Sequence, residues 1–222
     1  MSRNDVLKSV ALTVRSRMKS HPLRIGISGI TSSGKTTLAN ELTEILQGMG
    51  INVIRALMDD FHNPKTIRYS QGRTSAKGYY DDAYDHNSLL EKLLKPLGPN
   101  GNGYYQIKSH DLALDQSIDL PPVKANRDSV LMIDGTFLFK SDVREELDFK
   151  IYVETDFEIA LERGSKREKH ALGGLENAKR IFLERYHPAS KMYLEECNPD
   201  KYADLIVNNN DLDNPVVICK ER

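Results

Sequence analysis

At 222 residues the chain is long enough for one sizeable domain with its own core. A formal charge of −1, with basic residues spread along the chain, excludes the marks of a nucleic-acid groove or an anionic membrane surface, and no apolar run approaches the roughly 20 residues that span a bilayer. Cys197 and Cys219 form no C-x-x-C pair and have no nearby histidine, so neither a metal site nor a disulfide framework is expected, and a reducing, cytoplasmic setting is the simplest reading.

In chain order, residues 1–21 carry Val6, Val10, Val14 and Met18 at helical spacing before Pro22. This mildly basic segment reads as an amphipathic helix packed on the domain, in preference to a transit peptide. Residues 23–29, "LRIGISG", form a short apolar run ending in glycine, the pattern of a buried parallel strand. A helix follows, with Leu38, Leu42, Ile45 and Leu46 on one face and Gly48 and Gly50 as stop signals. Further strands are expected at 51–58, 128–134, 148–154 and 203–208, separated by helical patterns near 85–95, 156–169 and 175–196. Strands alternating with helices predict an α/β domain around a five-stranded, mostly parallel sheet. The Gly-, Pro- and Asn-rich stretch 96–127 is too long for a plain connector and is expected to form a small hairpin over the site.

Between the first strand and its helix stands Gly29-Ile30-Thr31-Ser32-Ser33-Gly34-Lys35-Thr36, followed by Thr37. This is G-x-x-x-x-G-K-[ST], and its strand–loop–helix setting identifies a P-loop: backbone N–H groups and a helix N-terminus face the phosphates of a nucleotide. Lys35 is expected on the β- and γ-phosphates, and the Thr36 hydroxyl on magnesium. Asp59 and Asp60 end the second strand, where ligands of open parallel sheets bind. One of the two is the candidate general base and the other is structural or metal-linked. Asp134, at the end of the strand "LMID", is the candidate magnesium carboxylate. Arg163 and Arg167 lie four apart on a helix end, within a basic run that reaches Lys169 and His170 before Gly173 and Gly174. That spacing suits a lid, residues 163–175, whose arginines neutralise a transferring phosphoryl group. Tyr105 and His110 in the insert are candidates for reading a planar base.

Together these pieces resemble the uridine kinase/phosphoribulokinase family, and the uridine kinase branch most closely, over about residues 23–210. "GISGITSSGKTTLA" is similar to that family's loop, "MDDFHNP" to its strand-end acid motif, and Tyr105-x-x-x-x-His110 to its Y-x-x-x-x-H hairpin. The resemblance implies a P-loop three-layer sandwich with a hairpin insert and a helical lid. It implies transfer of phosphate from ATP, with Mg2+, to a small-molecule hydroxyl, the 5′-OH of a pyrimidine nucleoside foremost. In that reading Asp59 is the base, Tyr105 and His110 contact the pyrimidine, and Asp81 or Asp82 of "GYYDDAYD" holds the ribose diol. The family's R-G-R element has no counterpart, since "HALGG" stands there, and His62 occupies a position where tyrosine is usual. Nicotinamide riboside, pantothenate or a sugar is the alternative acceptor. From another class, a P-loop switch or partner-binding module is the rival, although "NNND" at 208–211 lacks the lysine of a guanine-reading N-K-x-D. No nucleic-acid or membrane partner is expected, and a homo-oligomer is left open.

Overall fold

The computed structural model describes residues 2–219. Numbering the strands of the main sheet and its longer helices in chain order, α1 (Arg3–Ser16) leads into β1 (Leu23–Gly29), α2 (Lys35–Gly48) and β2 (Val53–Leu57). The short helix α3 (Ala76–Asp82) precedes the insert. Then come β3 (Val130–Gly135), β4 (Phe149–Glu154), α4 (Phe157–Glu168), α5 (Leu175–Ile181), α6 (His187–Cys197), β5 (Leu205–Asn208) and β6 (Val216–Cys219). The sheet runs β6-β5-β4-β1-β3-β2. Its five expected strands are all mutually parallel, and β6 is a sixth, antiparallel edge strand that pairs Val216 with Asn208.

All seven residues of β1 are buried, which is why it reads as an unbroken apolar run. Its side chains alternate between two cores. Leu23, Ile25 and Ile27 meet α1 and α2 on one face, through Val10, Val14, Leu38, Leu42 and Leu46. The other face is filled by Leu89, Leu93, Phe137, Phe139 and Tyr193. Helices on both sides of the sheet make the three layers. Ser28, pointing to the second face, is satisfied by the Tyr193 hydroxyl at 2.8 Å.

The N-terminal segment is helical and docked, as its stripe predicts, but α1 ends at Ser16, six residues before Pro22. Ser2 and Asp5 form a capping box at its start. Fully burying Val6, Val10 or Val14 contributes about 1.5–3 kcal/mol each, which fixes the helix on the sheet. The segment 175–197 is interrupted by a π-helical turn, Phe182–Tyr186, between α5 and α6. The insert is not one hairpin. Tyr104–Tyr105 pairs with Val123–Lys124, and inside that pair His110–Asp111 meets Gln116–Ser117.

Candidate active site

β1 lies between β3 and β4, so the loop that follows it opens at the centre of the sheet's C-terminal edge. Register brings the acids to the same edge: Asp134 stands opposite both Ile27 and Leu57, and Asp59 follows Leu57 by two residues. A cavity of about 240 Å³ is lined there by Thr31, Ser32, Gly34, Lys35, Thr36 and Thr37 of the loop, with Asp59, Asp134 and Arg167.

The loop is built for close approach. Gly34 has φ +94°, and a Cβ there would run into the Asn209 side chain. A Cβ on Gly29 would strike the Val153 carbonyl of β4. Asn209, 1% exposed, donates to the Ser33 carbonyl at 2.7 Å, and Arg3 of α1 donates to its Oδ1 at 3.1 Å. The "NNND" run is therefore a brace for the loop: Asn210 also accepts the Asp156 amide at 2.8 Å. Ile30 is buried, and its carbonyl accepts from Lys35 Nζ at 2.8 Å. Burial pushes the Lys35 ammonium down to about 8, against the pull of Asp134 and Asp59, and Arg167 adds to the depression. The buried Ser33 hydroxyl has no protein partner. An anion would meet a concentrated, under-satisfied set of donors here.

Thr36 Oγ1 donates to Asp134 Oδ2 at 2.6 Å, and the other carboxylate oxygen takes the Arg55 guanidinium. A hydroxyl beside a carboxylate is a hard-oxygen pair that suits Mg2+, which binds through one or two protein oxygens plus phosphates and water. Among the described residues no cluster of three or more His, Cys, Asp or Glu could hold a metal without such help.

The two aspartates part company. Asp59 lines the cavity and accepts from the Tyr84 hydroxyl at 3.0 Å. Asp60 turns to the insert, 3.3 Å from Lys108 Nζ, and its carbonyl accepts from the Ser109 amide. Beyond Asp59 the cleft continues into a second cavity of about 300 Å³, reached past Thr31, Tyr79 and Tyr84. Its walls include His62, Arg68, Tyr69, Arg185 and Tyr186. Burial raises the Tyr79 phenol to about 12 and, with Asp59 close by, holds that of Tyr84 well above its ordinary range. Both stay protonated donors. Burial also lowers the His62 imidazole, opposed by Asp59.

Several expected residues stand elsewhere. Arg163 does not reach the phosphate cavity: it donates to the carbonyls of Asn209 and Asn210 at 2.8 and 2.7 Å. Arg167 does reach it, with Nη2 3.3 Å from Ser32 Oγ. The turn after α4 runs through Gly173 and Gly174, both at positive φ. Tyr105 packs against the second-face core, and His110, 2% exposed, lies 3.3 Å from Asp115, so both are spent on holding the insert together. Asp81 pairs with Lys77 and faces a separate cavity with Lys140 and Cys197. Asp82 accepts from Gln71 at 2.8 Å. The acids of "GYYDDAYD" thus face away while Tyr79 and Tyr84 face in, and Tyr80 lines the separate cavity with Asp81. The signal was present, since Tyr79, Ala83 and Tyr84 recur at i, i+4 and i+5, one stripe of a helix. Arg68 and Arg185 carried no comparable mark.

The profile of the Phosphoribulokinase / Uridine kinase family matches residues 24–213. The chain is 30% identical over 192 residues to "Uridine-cytidine kinase B" of Dictyostelium discoideum, covering 84% of this chain and 74% of that protein. It is 29% identical over 191 residues to "Uridine kinase" of Staphylococcus aureus strain Newman, covering 82% and 86%. Among solved structures it is similar to a "Possible Uridine Kinase" from Bacillus stearothermophilus, with TM-score 0.70 and 26% identity over 91% of this chain and 97% of that one. A D-glycerate 3-kinase from Cryptococcus neoformans shares the fold at 16% identity and TM-score 0.67, over 97% and 99%.

Proposed function

The chain belongs to the phosphoribulokinase/uridine kinase family, and we propose that it transfers the γ-phosphoryl group of ATP to the hydroxyl of a small molecule. One observation carries this reading. Asp59 stands where the phosphate cavity meets the second, tyrosine-walled cavity, so a carboxylate separates room for a nucleotide's phosphates from room for another molecule. A hydrolytic switch has no use for the second space.

In this reading the acceptor's hydroxyl oxygen attacks the γ-phosphorus as its proton passes to Asp59, and the bond from that phosphorus to the β–γ bridging oxygen breaks, releasing ADP. Lys35 and Arg167 hold the phosphoryl oxygens as charge spreads over them. Thr36 and Asp134 are the residues that would hold Mg2+, which supplies further neutralisation of phosphate charge when bound. Arg163 supports the chemistry indirectly, by tying α4 to the end of β5. Residues 163–175 act as the lid and 96–127 as the wall over the acceptor. Among candidate acceptors, a nucleoside of the kind the relatives' names suggest would find walls of Tyr69, Tyr79, Tyr84 and Tyr186 on which its planar base can stack.

ADP release measured with and without candidate acceptors tests the reading. A kinase consumes ATP only when its acceptor is present, and EDTA abolishes turnover. Steady hydrolysis that no acceptor accelerates would point to the switch instead.

A further inference from the structure

The second cavity carries a charge that the protein leaves unanswered. Three guanidiniums converge on the Tyr69 ring: Arg68 at 5.0 Å from its centroid, Arg73 at 5.2 Å and Arg185 at 5.3 Å. Of the three, Arg68 alone has an acid among the described residues, Asp115 at 3.1 Å. Arg167 of the same cavity is paired with Glu168 at 2.8 Å. Arg185, half-buried, is held among the described residues by aromatic faces, at 4.9 Å from the Tyr79 ring and 5.7 Å from that of Tyr186 as well. Its Nε is buried without a partner, and so is the Nε of Arg68, a residue only 6% exposed. Ring faces offset part of the cost of sheltering a guanidinium, but they accept no hydrogen bond from its Nε. At the opposite end of this space, the Asp59 carboxylate is likewise without a cation in direct contact among the described residues and accepts from the Tyr84 hydroxyl. The cavity is therefore bipolar, with a carboxylate at the phosphate end and arginines at the far end.

Resting on the kinase reading and deepening it, we propose that the acceptor bears an anionic group, a carboxylate or a phosphate. That group docks on Arg185 and Arg68 beside Tyr69, and its hydroxyl reaches Asp59. A fork of guanidinium donors matches two oxygens of such a group, and a desolvated site built for an anion rejects its neutral isostere because the donors are then stranded. A neutral nucleoside would leave Arg185 unanswered.

Matched pairs test this. ADP release is measured with pantothenate against pantothenol, D-glycerate against glycerol, fructose 6-phosphate against fructose, and with uridine. The expected result is turnover of an anionic member with a KM at least about 10-fold below that of its neutral partner, in line with the strength of a charge-assisted contact. The carboxylate and phosphate arms identify which anion fits. Arg185→Met should raise that KM about 10- to 100-fold while the KM for ATP stays put, and Arg185→Lys should recover part of the loss. Equal use of both members of each pair, or use of uridine alone, overturns the anionic acceptor and leaves the kinase standing. A Met variant in which kcat or the KM for ATP moves instead overturns it too, assigning Arg185 to the transferring phosphoryl group. ATP that binds in calorimetry but is consumed with no member overturns the acceptor class. ATP that does not bind sinks the kinase reading itself.

Discussion

Asp59 and Asp60 are chemically identical neighbours whose fates differ by the direction of one side chain. Their strand ends in a 3-10 turn, Met58–Phe61, that aims the first into the cleft and the second at Lys108 of the insert. On the proposed mechanism Asp59→Asn keeps the hydrogen bond with Tyr84 but cannot take a proton. Its kcat should fall about 10²- to 10⁴-fold with ATP binding little changed. Asp60→Asn should leave kcat within a few-fold and loosen the insert. Steady-state kinetics of both variants, with ATP affinity measured separately, checks the pair, and the reverse pattern would exchange the roles. What was legible at this scale follows from how the chemistry is carried. The P-loop works through backbone and one lysine, so a spacing of glycines reveals it. Asp59, Asp134 and Arg167 sit at element ends whose direction the strand–helix pattern dictates. Tyr105, His110, Asp81, Asp82 and Arg163 fit their expected roles by residue type and spacing, yet tertiary packing decides where such side chains point. The arginines around Tyr69 come from segments far apart in sequence, Arg68 and Arg73 against Arg185, and no local pattern brings them together.

At the scale of elements, the five parallel strands were readable because burial on both faces leaves continuous apolar runs. The edge strand Val216–Cys219 was not. Val216 and Ile218 are about half exposed, and the run "VVIC" is short and lies past the last helix. The nested pairings of the insert were hidden for a related reason: each strand has two residues, too few for any period. A less visible device joins α1 to the sheet. Asp148, just ahead of β4, accepts from Arg24 of β1 through side chain and amide at 2.9 and 3.0 Å, and from Lys19 of the α1–β1 linker at 2.8 Å. Burial alone would raise the Asp148 carboxyl, but these donors outweigh it and hold it at about 2, below its ordinary 3.8. A carboxylate depressed in the folded state stabilises above its unfolded pKa and loses that contribution as pH falls from about 3.8 towards 2. Asp148→Asn strands Arg24, with Glu146 as its remaining acid at 2.7 Å, and should cost about 3 kcal/mol at neutral pH, the low end for a broken buried pair. Urea denaturation at pH 7 and pH 3 measures it. The gap between wild type and variant should narrow at the lower pH, and a gap that stays constant would mean that packing, not charge, is what the substitution removes.

For the whole molecule the decisive relation is between the rigid sheet edge and the segment that leans over it. α4 is tied to the sheet at Arg163, passes close to Ser32 of the P-loop at Gly164, and meets Ser32 again at its last turn through Arg167 at 3.3 Å. The Arg167 side chain is 64% exposed and that of Lys166 66% exposed, so the end of the helix carries trypsin-sensitive bonds in open solvent. On the proposed reading, ATP places phosphate oxygens beneath Arg167 and adds a charge-assisted contact that must break before the last turn can unravel into a protease. Without nucleotide, trypsin should therefore cut first after Lys166, Arg167 or Lys169, and the fragments should be assignable by mass. If opening requires nucleotide release, saturation at 100 times Kd should slow that cleavage about 100-fold, as mass action dictates. A non-hydrolysable ATP analogue with Mg2+ is the probe, since turnover would blur the result. Arg167→Ala should keep the cleavage after Lys166 and Lys169 and lose most of the protection, because the phosphates then grip the loop but not the helix over it. Equal protection in the variant would place the lid's hold elsewhere on α4, and unchanged cleavage in the saturated wild type would show that residues 163–175 do not close on the nucleotide.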